Sequence, residues 1–183
     1  MLKKIPVVLG FALIAFLIYV QTRPAEFKYV RSGVIQASPQ QIFPYLSQFK
    51  LGNAWSPYEK KDPKMQHTYA GAAEGVGQIM EFAGNQEVGK GRLEMLKVIP
   101  HSLVEIKLTM LEPIQGENIV QYSLAPESSG GTRFTWTMTG SGGFVSKLMG
   151  VLIDCEKMVA GDFEKGIQDL KVLVESNSVS GSR

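Results

Sequence analysis

The sequence is poor in the residues that usually announce chemistry. It has one cysteine, Cys155, so it can form no intrachain disulfide and no thiolate metal cluster. Cys155 falls in a helical pattern near Ile153 and Met158 and reads as a small semi-buried residue, not a nucleophile. There are two histidines, His67 and His101, and neither belongs to an HExxH motif or any other metal-ligand spacing. No GxSxG elbow or Walker loop occurs. The glycines of GVGQIMEFAG lead into a strand pattern, which argues against a phosphate cradle at a helix start. Net charge is only +2, and residues 26–175 carry 15 basic and 17 acidic side chains without a basic patch. That excludes a nucleic-acid partner. No cofactor or metal is expected, and no catalytic set is identifiable.

What is present is apolar material. Apolar residues make up 44% of 183, enough for one core plus an appendage. An apolar run without a charge begins at Ile5 and ends at Val20, after Lys3 and Lys4. The exit, QTRPAEF, lacks a small-residue cleavage site, so the run reads as an uncleaved transmembrane anchor and not as a signal peptide. Sixteen residues span about 24 Å, short of a hydrocarbon core of about 30 Å. Leu2, snorkelling lysines and interfacial Tyr19 are the residues expected to cover the gap. Lys3 and Lys4 favour a cytoplasmic N-terminus, with the domain on the outer side of the inner membrane, although Arg23 and Lys28 blunt that bias.

Residues 27–37 read as a strand, broken only by Gly33. SPQQIFPYLSQF follows with Ser38 as N-cap, Pro39 at the first turn and Gln41 completing a capping box; Pro44 should shorten this helix. A second helical turn is expected up to Trp55, then a Pro-rich loop. Residues 68–141 alternate strand patterns with turns: Val104, Ile106, Leu108 and Met110 share one face, as do Phe134, Trp136 and Met138. Val145, Leu148, Met149, Leu152, Ile153, Val159, Phe163, Ile167, Leu170 and Val174 form a long helical stripe. Gly150, Gly161 and Gly166 interrupt it and predict a kink or a close backbone approach. The domain is expected to end at residue 175, with 176–183 a disordered polar tail.

Five stretches in this order carry a resemblance: IQASPQQIFPYLSQF, AWSPYEKKDP, YAGAAEGVGQIMEFAGNQEVGKGRLEMLKVIP, GGTRFTWTMTG and GDFEKGIQDLK. The chain resembles the SRPBCC superfamily, which includes START lipid-transfer and birch-pollen-allergen-like proteins, and within it the bacterial polyketide cyclase/dehydrase-like branch. The resemblance covers residues 27–175. It implies an α+β helix-grip fold: a curved antiparallel sheet of about seven strands around a long C-terminal helix, with two short helices after strand 1 and an apolar cavity between sheet and helix. It does not fix the activity, because one fold hosts many functions.

Trp55, Tyr58, Tyr69, Met80, Phe82, Met110, Phe134, Trp136, Met138 and Met149 are the expected cavity residues. Abundant methionine suits a surface that adapts to varied apolar ligands, or an irregular core. In NAWSPYEKKDPK, Trp55 and Tyr58 should turn inward, while Glu59, Lys60, Lys61, Asp62 and Lys64 should face water or lipid headgroups. His67 near Glu59 and Asp62 could work as an acid–base pair, but reads as a solvated loop residue; His101 reads as an exposed turn residue. Arg92 and Glu94 read as an exposed pair, and Arg31 and Tyr122 cannot be placed inward. Three functions fit: a membrane-tethered binder or transporter of an apolar small molecule or lipid, a polyketide cyclase/dehydrase-like enzyme on an aromatic or polyketide-like substrate, and a protein-interaction module.

Overall fold

The computed structural model describes residues 5–128, 130–153 and 155–180. The chain begins with helix α1 (Ile5–Gln21) and then strand β1 (Glu26–Ile35). Three short helices follow: α2 (Pro39–Ser47), α3 (Phe49–Gly52) and α4 (Pro57–Lys61). Six strands come next: β2 (Gln66–Gly71), β3 (Gln78–Ala83), β4 (Lys90–Ile99), β5 (Leu103–Glu112), β6 (Gly116–Pro126) and β7 (Thr132–Ser141). Helices α5 (Phe144–Leu152) and α6 (Cys155–Ser180) close the described chain. This is the α+β helix-grip architecture.

The seven strands form one sheet in the order β1-β7-β6-β5-β4-β3-β2, and every neighbouring pair is antiparallel. β2 to β7 are a simple meander. Only β1 is out of sequence, at the far edge from β2, so the β1–β2 connection must cross the whole sheet. Helices α2 to α4 make that crossing and pack their apolar sides inward: Ile42, Leu46, Phe49 and Trp55 are buried. Local chemistry starts α2 as the sequence predicts, with the Ser38 amide donating to Gln41 Oε1 at 2.9 Å. Pro44 lies within the helix, which ends three residues later. The loop expected after Trp55 instead makes the turn α4, with Pro57 at its start, the position that tolerates a missing N–H.

The C-terminal stripe splits. Ala160, Phe163, Ile167, Leu170 and Val174 recur at three- and four-residue spacing and are buried on α6. Helix α5 buries no residue. The two meet near Ile153, whose backbone is extended, so the predicted single long helix is two helices. The close approach expected at its glycines occurs at Gly166, where an added Cβ would stand 2.7 Å from Trp136 Cζ3. Gly33 plays the matching part on the sheet, its missing Cβ leaving room for Ile167 Cγ2. The strand-breaking glycine of the sequence is thus where α6 seats.

Two terminal expectations change. Helix α6 continues to Ser180, into the region expected as a polar tail. Asn177 Nδ2 donates to the Tyr45 hydroxyl at 3.2 Å and Ser176 Oγ to Leu173 O at 3.0 Å, giving polar residues helical partners. Residues 181–183 lie outside the described residues. At the other end, α1 has 17 residues, about 26 Å at 1.5 Å per residue. No helix among the described residues is long and apolar enough to cross a membrane. The expected single-pass span from Ile5 to Val20 is therefore a helix too short to cross by itself. Lys3 and Lys4, on which its orientation depends, lie outside the described residues.

Candidate functional site: a cavity between sheet and helices

Between the concave face of the sheet and helices α5 and α6 is a cavity of about 1050 Å³. Its volume is at the top of the range for small-molecule sites, about 300–1,000 Å³. Strand parity explains the lining. On β5, Ile106, Leu108 and Met110 point inward; on β6, Val120 and Tyr122; on β7, Trp136 and Met138. Eight of the ten expected cavity residues do border it. Trp55 and Tyr58 come from the crossing segment, Met80 and Phe82 from β3. Met110, Trp136, Met138 and Met149 complete the set.

Two expected residues stand elsewhere. Phe134 is on the correct face but wholly buried behind the lining, edge-on to Trp55 at 6.0 Å and Tyr122 at 5.6 Å. It is core because the neighbouring aromatics close over it. Tyr69 is on edge strand β2 and accepts a hydrogen bond from Asn53 Nδ2 at 2.8 Å. It joins a separate shallow groove with Phe49 and Lys50. The α3 turn stands between it and the cavity, which sequence spacing could not reveal.

An aromatic cluster forms the inner wall. Trp55 and Trp136 meet edge to face at 5.3 Å, Tyr122 and Trp136 at 5.3 Å, and Trp136 stacks on Phe163 at 4.1 Å. Phe163 and Tyr122 were missing from the expected site. The signal for Tyr122 was available: it alternates with buried Val120 and Leu124 along β6. Burial pushes both the Tyr58 and Tyr122 hydroxyls well above the ordinary tyrosine range, with the Asp162 charge adding to the effect on Tyr58. Both phenols are neutral at physiological pH.

The charged half of the crossing segment is not simply solvated. Lys61 Nζ lies 2.8 Å from Asp162 and 3.2 Å from Glu87, and Lys60 lies 2.6 Å from Asp169. Asp62 accepts from the Asn85 amide at 2.7 Å. These contacts clasp α4 to α6 and to the β3–β4 loop, and Glu59, Lys61, Glu87 and Asp162 become part of the cavity border. The partners of Lys61 are 26 and 101 residues away, so no local pattern announces them.

His67 Nε2 lies 2.9 Å from Glu59 Oε1, with both side chains mostly buried, so the pair is formed and not solvated as expected. Burial raises the Glu59 carboxyl above its usual range, against the lowering effect of His67. Glu59 borders the cavity and His67 does not. The other polar candidates stay outside. Arg92 and Glu94 pair at 3.3 Å, about 40% exposed; Arg31 pairs with Glu164 at 2.9 Å; His101 is in an exposed turn with φ 59°. No group of three or more His, Cys, Asp or Glu among the described residues could hold a metal ion.

One end of the cavity is bordered by Tyr19, Arg23, Pro24 and Ala25, where α1 meets the domain, and by Lys147, Met149 and Val151 of α5. Lys147 Nζ donates to Gln21 O at 3.0 Å and joins the two helices. Outside this border the surface is apolar. Phe11, Ile18, Val145, Leu152 and Met158 are each more than half exposed.

A family model for polyketide cyclase / dehydrase and lipid transport proteins matches residues 26–175. The chain belongs to this family. It is accordingly a member of the SRPBCC superfamily. Its fold is similar to solved structures of low identity. A Chromobacterium violaceum protein, CV1439, is 18% identical, covering 83% of this chain and 99% of its own, at a TM-score of 0.57. The Mesorhizobium loti protein MLL2253 is 16% identical, covering 82% and 98%, at 0.60. The di-domain ARO/CYC StfQ of the steffimycin biosynthetic pathway is 10% identical, covering 84% of this chain and 52% of its own, at 0.62. No curated protein matches.

Proposed function

We propose that residues 26–175 hold an apolar small molecule or lipid in the cavity, and that residues 1–25 tether this domain to a membrane. The observation that carries this reading is the position of the cavity border. An apolar chamber large enough for a lipid-sized ligand opens beside the end of an exposed apolar helix. Exposed apolar side chains around α1 and along α5 need cover, and a bilayer supplies it to both at once. Helix α1 is short for a span, so it either seats in one leaflet or crosses with help from Leu2, Lys3 and Lys4. A ligand dissolved in the bilayer then reaches the chamber without crossing water.

The experiment is native mass spectrometry of the full chain extracted from its own membrane. A co-purifying lipid or apolar metabolite is the expected result. Failure to retain any lipid or aromatic compound, in a chain that stays folded, overturns the binder reading.

A second reading rests on the Glu59–His67 pair. A carboxylate at the cavity border, its pKa raised and a histidine behind it, is a usable proton relay for a cyclase/dehydrase-like reaction on an aromatic or polyketide-like substrate. Conversion of a co-purified compound by the wild type, lost in Glu59→Gln, would promote it. Recovery of that compound unchanged keeps the domain a binder.

A further inference from the structure

The two tryptophans of the inner wall differ in one respect. Trp55 Nε1 donates to Tyr45 O at 2.9 Å. Trp136 is 4% exposed, and its Nε1 is buried with no partner. Buried indole N–H groups nearly always find an acceptor, because leaving one unmade forfeits the bond it had with water. The Trp136 ring borders the cavity. Beside it, at 5.3 Å between rings, stands Tyr122. The Tyr58 hydroxyl is near enough to Tyr122 that charge on one phenol would repel charge on the other. Neither hydroxyl has a hydrogen-bond partner among the described residues. The aromatic wall thus places one unpaired indole N–H beside two neutral phenols.

The charges nearby restrict what can answer. Lys61 is occupied by Asp162 and Glu87, and Lys147 by the Gln21 carbonyl at the α1 junction. An anionic group placed against Trp136 would feel the Asp162 carboxylate that already acts on Tyr58, while the border cations without an acidic partner among the described residues, Arg23 and Lys147, stand at the α1 junction. A carbonyl or ether oxygen has no such cost.

We infer that the cavity takes an apolar ligand bearing an uncharged oxygen acceptor, held by the Trp136 indole N–H with the Tyr58 and Tyr122 hydroxyls as neighbouring donors. This rests on the cavity-binder reading and narrows it to a chemical class: aromatic or isoprenoid ketones, quinones, esters or ethers, as against plain hydrocarbons or free acids. The aromatic rings around the site favour a flat conjugated carbonyl.

The test uses the full chain in nanodiscs, dialysed against 9-fluorenone and fluorene, which differ by one carbonyl oxygen; empty discs give the background. Fluorenone is expected to be retained about ten-fold over fluorene, the value of one hydrogen bond to an otherwise unpaired buried donor. Trp136→Phe should bring the ratio below about three-fold while fluorene retention persists. A second measurement needs no variant: with ¹⁵N-labelled tryptophan, the Trp136 indole resonance should shift with fluorenone and stay put with fluorene. Equal retention of both probes, or an unmoved indole resonance, overturns the inference and leaves the cavity-binder reading standing. Retention of neither probe overturns the inference, and the binder reading falls with it only if the chain extracted from its own membrane also carries no lipid or apolar metabolite.

Discussion

Helices α5 and α6 come from one apolar stripe in the sequence, yet they have opposite fates. Helix α6 lays Phe163, Ile167, Leu170 and Val174 on the sheet and buries them almost completely. Helix α5 buries nothing, and leaves Val145 and Leu152 more than half exposed while Met149 borders the cavity. The difference is one of neighbours. Helix α6 faces β1, where Gly33 makes room for it, and it is clasped to α4 by Lys60 and Lys61. Helix α5 faces the cavity on one side and α1 on another. An apolar periodicity therefore marks a surface that needs cover, not the partner that provides it.

The comparison is broken most directly by truncation. Phe163→Ala should cost about 3–5 kcal/mol in denaturant unfolding, whereas Leu152→Ala should stay within about 0.5 kcal/mol. Similar losses would mean that α5 is as well packed as α6. The glycines sharpen the contrast by sign. Gly166→Ala pushes a Cβ against Trp136 and Pro57 and should cost about 1–3 kcal/mol. At Gly150 an added Cβ meets nothing within 4 Å, so Gly150→Ala should gain up to about 1 kcal/mol of helix propensity. The same assay reads both.

A smaller effect tests what covers α5. Val145→Glu with Leu152→Glu should lower the amount of chain floated with liposomes severalfold, with unfolding unchanged within about 0.5 kcal/mol. Undiminished flotation would leave α1 as the sole membrane contact. The smallest effect concerns the cavity wall against alkali. Tyr58 and Tyr122 have folded pKa values raised above the unfolded value near 10, so their contribution is fully present below pH 10. It is lost as pH rises above 10, because the unfolded chain then ionises first. Tyrosinate absorbance should show these two phenols ionising only with unfolding, and Tyr58→Phe with Tyr122→Phe should flatten the alkaline loss of stability. Early ionisation of all six tyrosines would place the wall in water.

Much of the fold was legible because it is written in local terms. Ser38, Pro39 and Gln41 start α2 whatever surrounds them, and the alternation from Val104 to Met110 puts those side chains on one face of β5. Five of the eight cavity residues, Met80, Phe82, Met110, Trp136 and Met138, followed from the same parity, whereas Trp55 and Tyr58 are on the crossing segment and Met149 on the helical stripe. Phe134 and Tyr69 did not follow, since parity gives a face and not a depth: one is covered by its aromatic neighbours, the other is beyond the α3 turn.

By itself, the sequence determined the order of elements, the face each strand presents and the apolar character of both helical ends, because these depend on residue type and on spacing within a few residues. Only the tertiary structure decided that Lys61 meets Asp162, that Glu59 meets His67 and that the C-terminal helix breaks at Ile153. Only the fold, too, could leave the Trp136 N–H unpaired while satisfying that of Trp55. Those outcomes depend on what long-range packing brings within a few ångströms, and hydrogen bonds and ion pairs are decided at that distance.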